Sequence, residues 1–497
     1  MAQPKSLMAG IRGNIQDQID GIVSSDVTIE GAIPGALLAT DEALVRRGVS
    51  VYTAEMAEVW RQDGAGTFTQ SGAGAFASGS SGAGSGMYAT GAGSQVSGVT
   101  SGAGSTLTAA SDGSMIFATA ESGGTVAMNT GTNVAFGKAK NGGSIAGNGV
   151  GSLFLGLVDG GTMEAAVYSD MAIMHGWVAP GHTMRAYWGD GPLIQGNAFG
   201  AIPGSTISVA GNGAIVAGGA YNAGLLKSVG SGSMALGQAD DVGSVVANNG
   251  YAYGSIVHGF ARSGGVIKST DGYGTVARGA VRFANSKIEV TTGSWGASAE
   301  GTALSGGIIT ASDDAAAASG YTTGAGSTIT SSGKGAAAHG STAAAGAITA
   351  SGAGASSVGF ATGAGSTIVS SGNGSLAHGY AGTNGVLQAT AHGSTALGYP
   401  LGSSTISATG GGSFAMGQSY GAAGAITASG FGAGALGNAN YGSITASGSG
   451  SFAQGLSVSG GSITAGGNGS FAQGYSGAAA ITASVENAVQ FGPGTNA

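Results

Sequence analysis

Between residues 154 and 199 the chain gathers side chains suited to one kind of chemistry. The stretch holds Trp177 and Trp188, two of the four tryptophans, together with Tyr168, His175, His182, Arg185, Tyr187 and Asp190. An aromatic face stacks on the apolar face of a sugar ring, and neighbouring Asp, Arg or His groups hydrogen-bond the hydroxyls at its rim. Tyr168, Trp177, His182, Tyr187, Trp188 and Asp190 are therefore the candidate residues for binding a glycan or receptor. The competing reading is that the same rings pack a bulge or a contact between chains.

Other chemistry finds little support. Asp240 and Asp241 are adjacent, as are Asp313 and Asp314, so in strands each pair points to opposite faces instead of converging. Glycoside hydrolysis needs two carboxyls about 5 to 10 Å apart in a cleft, and nothing in the sequence compels one. Of the six histidines, His339 and His378 recur at one repeat position two repeats apart, which is too far for a shared metal. They read as packed or interfacial. No catalytic residue, metal site or cofactor is expected, and the chain is not read as an enzyme.

The element that must position these residues is a repeat. From Phe68 through Met87, Leu107, Val126, Ile145, Met163, Met184, Ile207, Leu226 and Val246 to Ile481, an apolar residue recurs at 22 positions, about every 20 residues, usually with a small residue at +6 and Gly at +11. Such a period marks one structural unit copied end to end. Each copy carries an anchor strand, as in Ser443-Ile-Thr-Ala-Ser447, and a second strand of the form Gly-Ser-x-Ala-x-Gly, with glycine turns between. The expected fold is all-β: a parallel β-solenoid or β-roll of about 22 coils of roughly 20 residues, with a small mixed α/β N-terminal domain. The spacing from Met184 to Ile207 is the longest in the repeat, and its extra length is expected in a loop.

Three segments follow. Residues 1–63 form an attachment or cap domain, 64–484 the repeat, and 485–497 the terminal coil and cap. The first segment is richer in charge; Thr53 to Trp60 reads as a short helix capped by Thr53, and Asp26 to Glu30 as a strand. In the last, Ile481 is the anchor, Asn487 stands at the +6 glycine position, and Pro493 stops the sheet edge.

Composition excludes several classes. Glycine is 104 of 497 residues and charged residues are 8%, against about 25% in ordinary soluble domains. Glycine does not fall at every third position, so a collagen helix is ruled out. The net charge is −8 and no cluster of Lys and Arg offers a grip for nucleic acid. Zero cysteines remove disulfides and thiolate metal sites. No apolar stretch behind Met1 reads as a signal peptide, and no 18-residue apolar run reads as a membrane span. Each coil has few large apolar side chains, so burial leaves little surplus over the entropy of ordering it. Partner chains side by side would add the missing burial, and a homotrimer is expected.

Several coils carry a recognisable motif. Gly232-Ser-Met-Ala-Leu-Gly237, Gly374-Ser-Leu-Ala-His-Gly379, Gly393-Ser-Thr-Ala-Leu-Gly398, Gly412-Ser-Phe-Ala-Met-Gly417 and Gly469-Ser-Phe-Ala-Gln-Gly474 resemble the Ser-Val-Ala-Ile-Gly element of YadA-like trimeric adhesin heads. That resemblance covers roughly residues 226 to 480 and implies a trimerising left-handed parallel β-roll. The coils here are longer than that family's, and its signal peptide and membrane barrel are not found. Val485-Glu-Asn-Ala-Val-Gln-Phe-Gly-Pro-Gly-Thr-Asn496 is similar to the closing segment of bacteriophage tail-fibre and appendage proteins.

Together the resemblances imply a trimeric structural adhesion protein of a virion tail or appendage, extracellular when functioning. Residues 1–63 would dock on a tail or portal/adaptor protein, and the solenoid would recognise a host cell-surface glycan or protein. The alternatives are a bacterial surface adhesin or structural filament, then a polysaccharide depolymerase tailspike. Ice binding is disfavoured because Lys227, Lys268, Glu289, Val369 and Gln388 interrupt the threonines beside the anchors. A second aromatic row, Phe260, Tyr321, Phe360, Tyr380, Tyr399 and Tyr475, follows the +11 glycine and is read as stacking for stability. From residue 335 onward there is no Lys or Arg and one Glu.

Overall fold

In each repeat, alternate residues of the anchor strand turn inward because successive side chains of a strand leave opposite faces. The strand Leu225–Val229 buries Leu226 and Ser228 and half-exposes the residues between them. Gly232, at φ 65°, makes the following turn in a conformation that costs glycine little. The strand Met234–Ala239 then buries Ala235 and Ala239. Repetition of this unit builds a parallel β-solenoid of about 18 turns, all-β, with no helix among the described residues. The computed structural model describes residues 76–492 apart from short breaks, and before them residues 28–29, 50–53, 60–62 and 67–70.

Two compact units divide the chain: Met1–Gly156 with Gly160–Glu164, and Leu157–Asp159 with Ala165–Ala497. In the first, Met87, Leu107, Val126 and Ile145 stand opposite one another in parallel register. All four are buried. Phe117 and Phe136 stack in its other sheet with ring centroids 4.9 Å apart. The strands Thr28–Ile29 and Ser50–Thr53 pair in parallel, and Ser50–Thr53 pairs onward with Thr67–Gln70. Thr28–Ile29 lies within the expected strand from Asp26. The expected helix from Thr53 to Trp60 is not matched at its ends. Thr53 closes the strand Ser50–Thr53, and Trp60 opens Trp60–Gln62, which pairs with residues of Phe76–Ser81. The rest of that helix lies outside the described residues.

In the second unit the anchor row runs Met184, Ile207, Leu226, Val245, Ile267, Ile288, Ile309, Ile329, Ile348 and Ile368, each in register with the next. Every one is fully buried. The anchor of the fourth coil is thus Val245, not the expected Val246. Beside the anchors the interior is mostly alanine and serine, as in Ala235, Ala277 and Ala299, and buried hydroxyls bond one another, as Ser255 does Ser269 at 3.0 Å. Full burial of one anchor is worth about 1.5 to 3 kcal/mol, so the core of each coil is thin, as its composition implies.

The two strand rows differ along this unit. Through Ser298–Ala303 the second row is a regular parallel sheet. After Ala317–Ala318 it is reduced to single bridges between glycines: Gly340, Gly359, Gly379, Gly398, Gly417, Gly437 and Gly455. Near the C-terminus Asn487 adopts φ 60° where the repeat has its turn glycine, Val489 bridges Phe471, and the Phe471 and Phe491 rings meet edge to face at 5.6 Å. Asn tolerates the left-handed region better than most residues. Pro493 lies outside the described residues.

Candidate functional site

The candidate residues from 168 to 190 fall on two sheets. Trp177 lies on the strand Ile173–Val178, is 57% exposed, and meets Phe199 with ring centroids 5.7 Å apart. Phe199 stacks on Tyr221 at 4.9 Å. Tyr187, Trp188 and Asp190 belong to the anchor-row strand Thr183–Asp190, with His182 half-buried just before it. The register with the next coil shifts between Ala186 and Gly189, so Tyr187 and Trp188 occupy a bulge within this strand. Arg185 Nη1 donates to the Tyr187 hydroxyl at 2.9 Å, and Asn212 Nδ2 donates to Asp190 Oδ1 at 3.1 Å. Tyr168 lies outside the described residues. The structure thus joins Trp177 to Phe199 and Tyr221, and Tyr187 to Arg185.

Phe199 and Tyr221 were missed in the sequence, although each follows a Gly of the second row, Gly196 and Gly218, by three residues. That common offset was the available signal.

A second arrangement lies further along the same unit, on the bridged coils. Its floor is the glycine row from Gly340 to Gly417, and it encloses about 860 Å³. One wall is the residue before each glycine: His339, Val358, His378 and Leu397. The opposite wall is the residue after it: Ser341, Phe360, Tyr380, Tyr399 and Gln418. The two rows flank one glycine per coil, so parallel pairing repeats the same wall, floor and wall at every step.

The glycine N–H groups along the middle of the floor are all taken. Gly359 N–H donates to the His339 carbonyl of the preceding coil at 3.0 Å, and Phe360 N–H donates to the Gly379 carbonyl of the following coil at 3.0 Å. The same alternation holds at Gly379 with Tyr380 and at Gly398 with Tyr399. This pattern comes with a backbone rotated into the left-handed region after each glycine: Phe360 at φ 97°, Tyr380 at 70° and Tyr399 at 90°. Bulky residues rarely adopt it, and such positions cost about 1 to 3 kcal/mol.

The rings contact each other in sequence. Phe360 and Tyr380 meet edge to face at 6.2 Å, Tyr380 and Tyr399 stack at 5.5 Å, and Tyr399 meets Tyr420 at 6.1 Å. Stacking within the row is therefore as expected from the sequence. It does not bury the row: Phe360 is 59% exposed and Tyr399 38%. His339 and His378 lie two coils apart on one wall, as their repeat positions imply, and His339 Nδ1 bonds the Ala318 carbonyl at 3.1 Å.

No Asp, Glu, Lys or Arg lines this groove. It offers aromatic rings, imidazole nitrogens, hydroxyls and an amide, which suit an uncharged, hydroxylated ligand with some apolar surface. Earlier on the same rows the character is different. Phe260 lies beneath Arg262 and Arg282, whose guanidinium carbons are 5.1 and 5.5 Å from its ring centre. Arg278 pairs with Glu300 at 2.7 Å beside a smaller groove of about 510 Å³.

The paired acids of the sequence are accounted for separately. Asp240 Oδ2 accepts from Gln238 Nε2 at 2.8 Å, with Arg262 Nε 4.0 Å from its Oδ1, and Asp314 pairs with Lys334 at 3.3 Å. Asp313 lies outside the described residues. Among the described residues no group of three or more His, Asp or Glu is placed to hold a metal ion.

No protein-family model, no curated protein and no solved structure matches this chain.

Proposed function

We propose that the chain is a structural adhesion protein, a homotrimeric fibre or appendage of a bacteriophage tail that docks by its N-terminal segment and binds the host surface through the solenoid. The observation that carries this reading is the row of exposed rings at the glycine bridges, Phe360 and Tyr399 among them. A stacked β architecture repeats one weak contact at every coil, and three chains would repeat it again. Such multiplicity converts weak sites into useful avidity with no new chemistry. The Ser-x-Ala-x-Gly motif and the terminal segment support the family expectation, and the thin core supports partner chains.

The bacterial surface adhesin is the second reading, favoured by the same motif in the coils that build the groove. Both readings place the groove at a cell surface.

Two measurements test the proposal. Sedimentation equilibrium of the full chain is expected to give three chains per particle, and one chain per particle overturns the trimer. Fluorescently labelled protein applied to a panel of bacterial cells is expected to adhere to a subset of strains in a saturable way. Failure to adhere to any strain overturns the adhesion reading. Labelling each terminus on intact virions then separates the two readings, because a cellular adhesin leaves the particles unlabelled.

A further inference from the structure

We infer that the groove between His339 and Gln418 binds a linear, uncharged glycan lying along the stacking direction, one sugar unit per coil. The inference rests on the adhesion reading and assigns its ligand class and its site, away from the Trp177 to Asp190 region singled out in the sequence.

Four observations converge on that occupant. The first is charge: no ionised side chain lines the groove. An anionic polymer would leave water without a cation to meet it, at a desolvation cost nothing here offsets.

The second is spacing. The rings of Phe360, Tyr380 and Tyr399 follow one another at 6.2 and 5.5 Å, a step close to the length of one pyranose in an extended chain. Each sugar can therefore meet one ring, and the next sugar the next ring.

The third is the floor. Along Gly359, Gly379 and Gly398 the backbone N–H groups are already bonded between coils. A polypeptide laid over those glycines would find none of their N–H groups free to meet its carbonyls. A sugar ring keeps its polar groups at the rim and presents C–H faces, so a floor without donors suits it.

The fourth is the opposite wall, where His339, Val358, His378 and Leu397 alternate polar and apolar with a period of two coils. With Nδ1 of His339 held on the Ala318 carbonyl, Nε2 is the nitrogen left for a ligand. In an extended glycan whose successive units are flipped, the same hydroxyl returns to the same side every second unit, which matches that alternation.

The backbone adds weight. The left-handed conformation after each glycine is set by the coil, and Asn438 shows that a residue better suited to it is available at the equivalent position. Rings placed there are the costly choice, and strain of this kind gathers at sites that clamp ligands.

The test uses the full chain with maltohexaose, cellohexaose, laminarihexaose and mannohexaose as neutral probes and hexagalacturonate as the anionic control, read by titration calorimetry. At least one neutral hexasaccharide is expected to bind and hexagalacturonate is not. Phe360→Ala, Tyr380→Ala and Tyr399→Ala are each expected to weaken binding about tenfold, about 1.4 kcal/mol, while Phe431→Ala, at an exposed ring outside the groove, leaves it unchanged. Because alanine tolerates positive φ poorly, Tyr380→Asn and Tyr399→Asn serve as matched variants that keep the coil, with circular dichroism as the check.

Binding by none of the neutral probes, equal binding by hexagalacturonate, or undiminished binding by folded ring variants overturns the inference. So does dissociation of the oligomer in the Tyr380 and Tyr399 variants, which would make a second copy of the chain the occupant. Adhesion to cells is measured on the same samples. Cells bound without any hexasaccharide bound sinks the groove and spares the adhesion reading; the converse sinks adhesion and spares the groove.

Discussion

Within the second unit, the coils up to Ser312 and those after it carry the same glycine row with its backbone turned two different ways. In several of the earlier coils the glycine itself takes the positive φ, 142° at Gly218, 154° at Gly279 and 152° at Gly301. A Cβ added to Gly218 would sit 1.5 Å from the Gly196 carbonyl oxygen of the preceding coil. In the later coils the positive φ moves to the next residue, from Tyr321 to Tyr475, and a Cβ on Gly359 would sit 3.1 Å from the Gly379 oxygen of the following coil. A shift of positive φ to the residue after the glycine thus accompanies the change from a sheet strand to a lone bridge. It also turns an ordinary strand position into one that displays a ring beside an open floor.

The largest consequence of that contrast is in the glycines. Gly218→Ala is expected to cost about 4 kcal/mol or more, because its Cβ meets backbone that cannot yield. Gly359→Ala should cost about 1 kcal/mol, since a shift of a few tenths of an ångström relieves the contact. Hydrogen exchange read by mass spectrometry resolves the two regions, as coil stability depends mainly on nearest neighbours. Equal losses in the two variants would remove the distinction.

Next come the serines beneath the anchors. Ser370 Oγ accepts the Leu376 N–H at 3.0 Å, so in that bridged coil a side chain takes over a backbone pairing, while Ser331 Oγ shares the Ala337 N–H, at 3.2 Å, with the Ala316 carbonyl. In an earlier coil Ser228 instead donates its hydroxyl to the Ala214 carbonyl at 2.9 Å. Ser370→Ala strands an N–H and is expected to cost about 1 to 3 kcal/mol, whereas Ser228→Ala should cost about 1 kcal/mol or less. Denaturant unfolding with the same exchange readout checks the order.

Replacing rings should reverse sign between the regions. Tyr475, 53% exposed at φ 69°, is expected to gain about 1 kcal/mol on mutation to Gly, which adopts that backbone freely. Phe260→Gly, within the strand Ile256–Arg262, should lose about 1 to 2 kcal/mol through strand entropy and the two guanidinium contacts. A loss in both would mean the left-handed conformation is not strained for tyrosine here.

The smallest effect is electrostatic. Glu300→Gln removes the half-exposed pair with Arg278 and is expected to cost less than about 1 kcal/mol at low salt and nothing measurable at high salt. The coils beyond residue 335, without Lys or Arg, should show no such salt dependence in exchange.

Much of this fold was legible because an apolar residue repeated over so many coils leaves few alternative registers. The one misplaced anchor, Val246 for Val245, is instructive: two adjacent valines satisfy the same composition, and only the facing coils decide which turns inward. The helix expected from Thr53 rested on capping and spacing over a few residues. Those are local signals, and pairing of Ser50–Thr53 with strands on either side is not local. The ring row after the glycines was visible in the sequence, and so was the shared position of His339 and His378. Their union into one groove was not, because it depends on a left-handed backbone at Phe360 and Tyr399 that the identity of those residues argues against. Phe199 and Tyr221 escaped notice for a different reason: they neighbour Trp177 only after coils of unequal length are laid in register.

In-register pairing also constrains how such a gene can change length. A slip during replication that adds or removes one whole repeat keeps every row aligned, while a one-residue change within a strand moves its side chains to the opposite face. Sheet-type and bridge-type repeats, however, hand different carbonyl positions to their neighbours, as Gly218 and Gly359 show. Variants of this chain are therefore expected to differ by whole repeats gained or lost on one side of the step from Gly301 to Tyr321, with that step itself kept once.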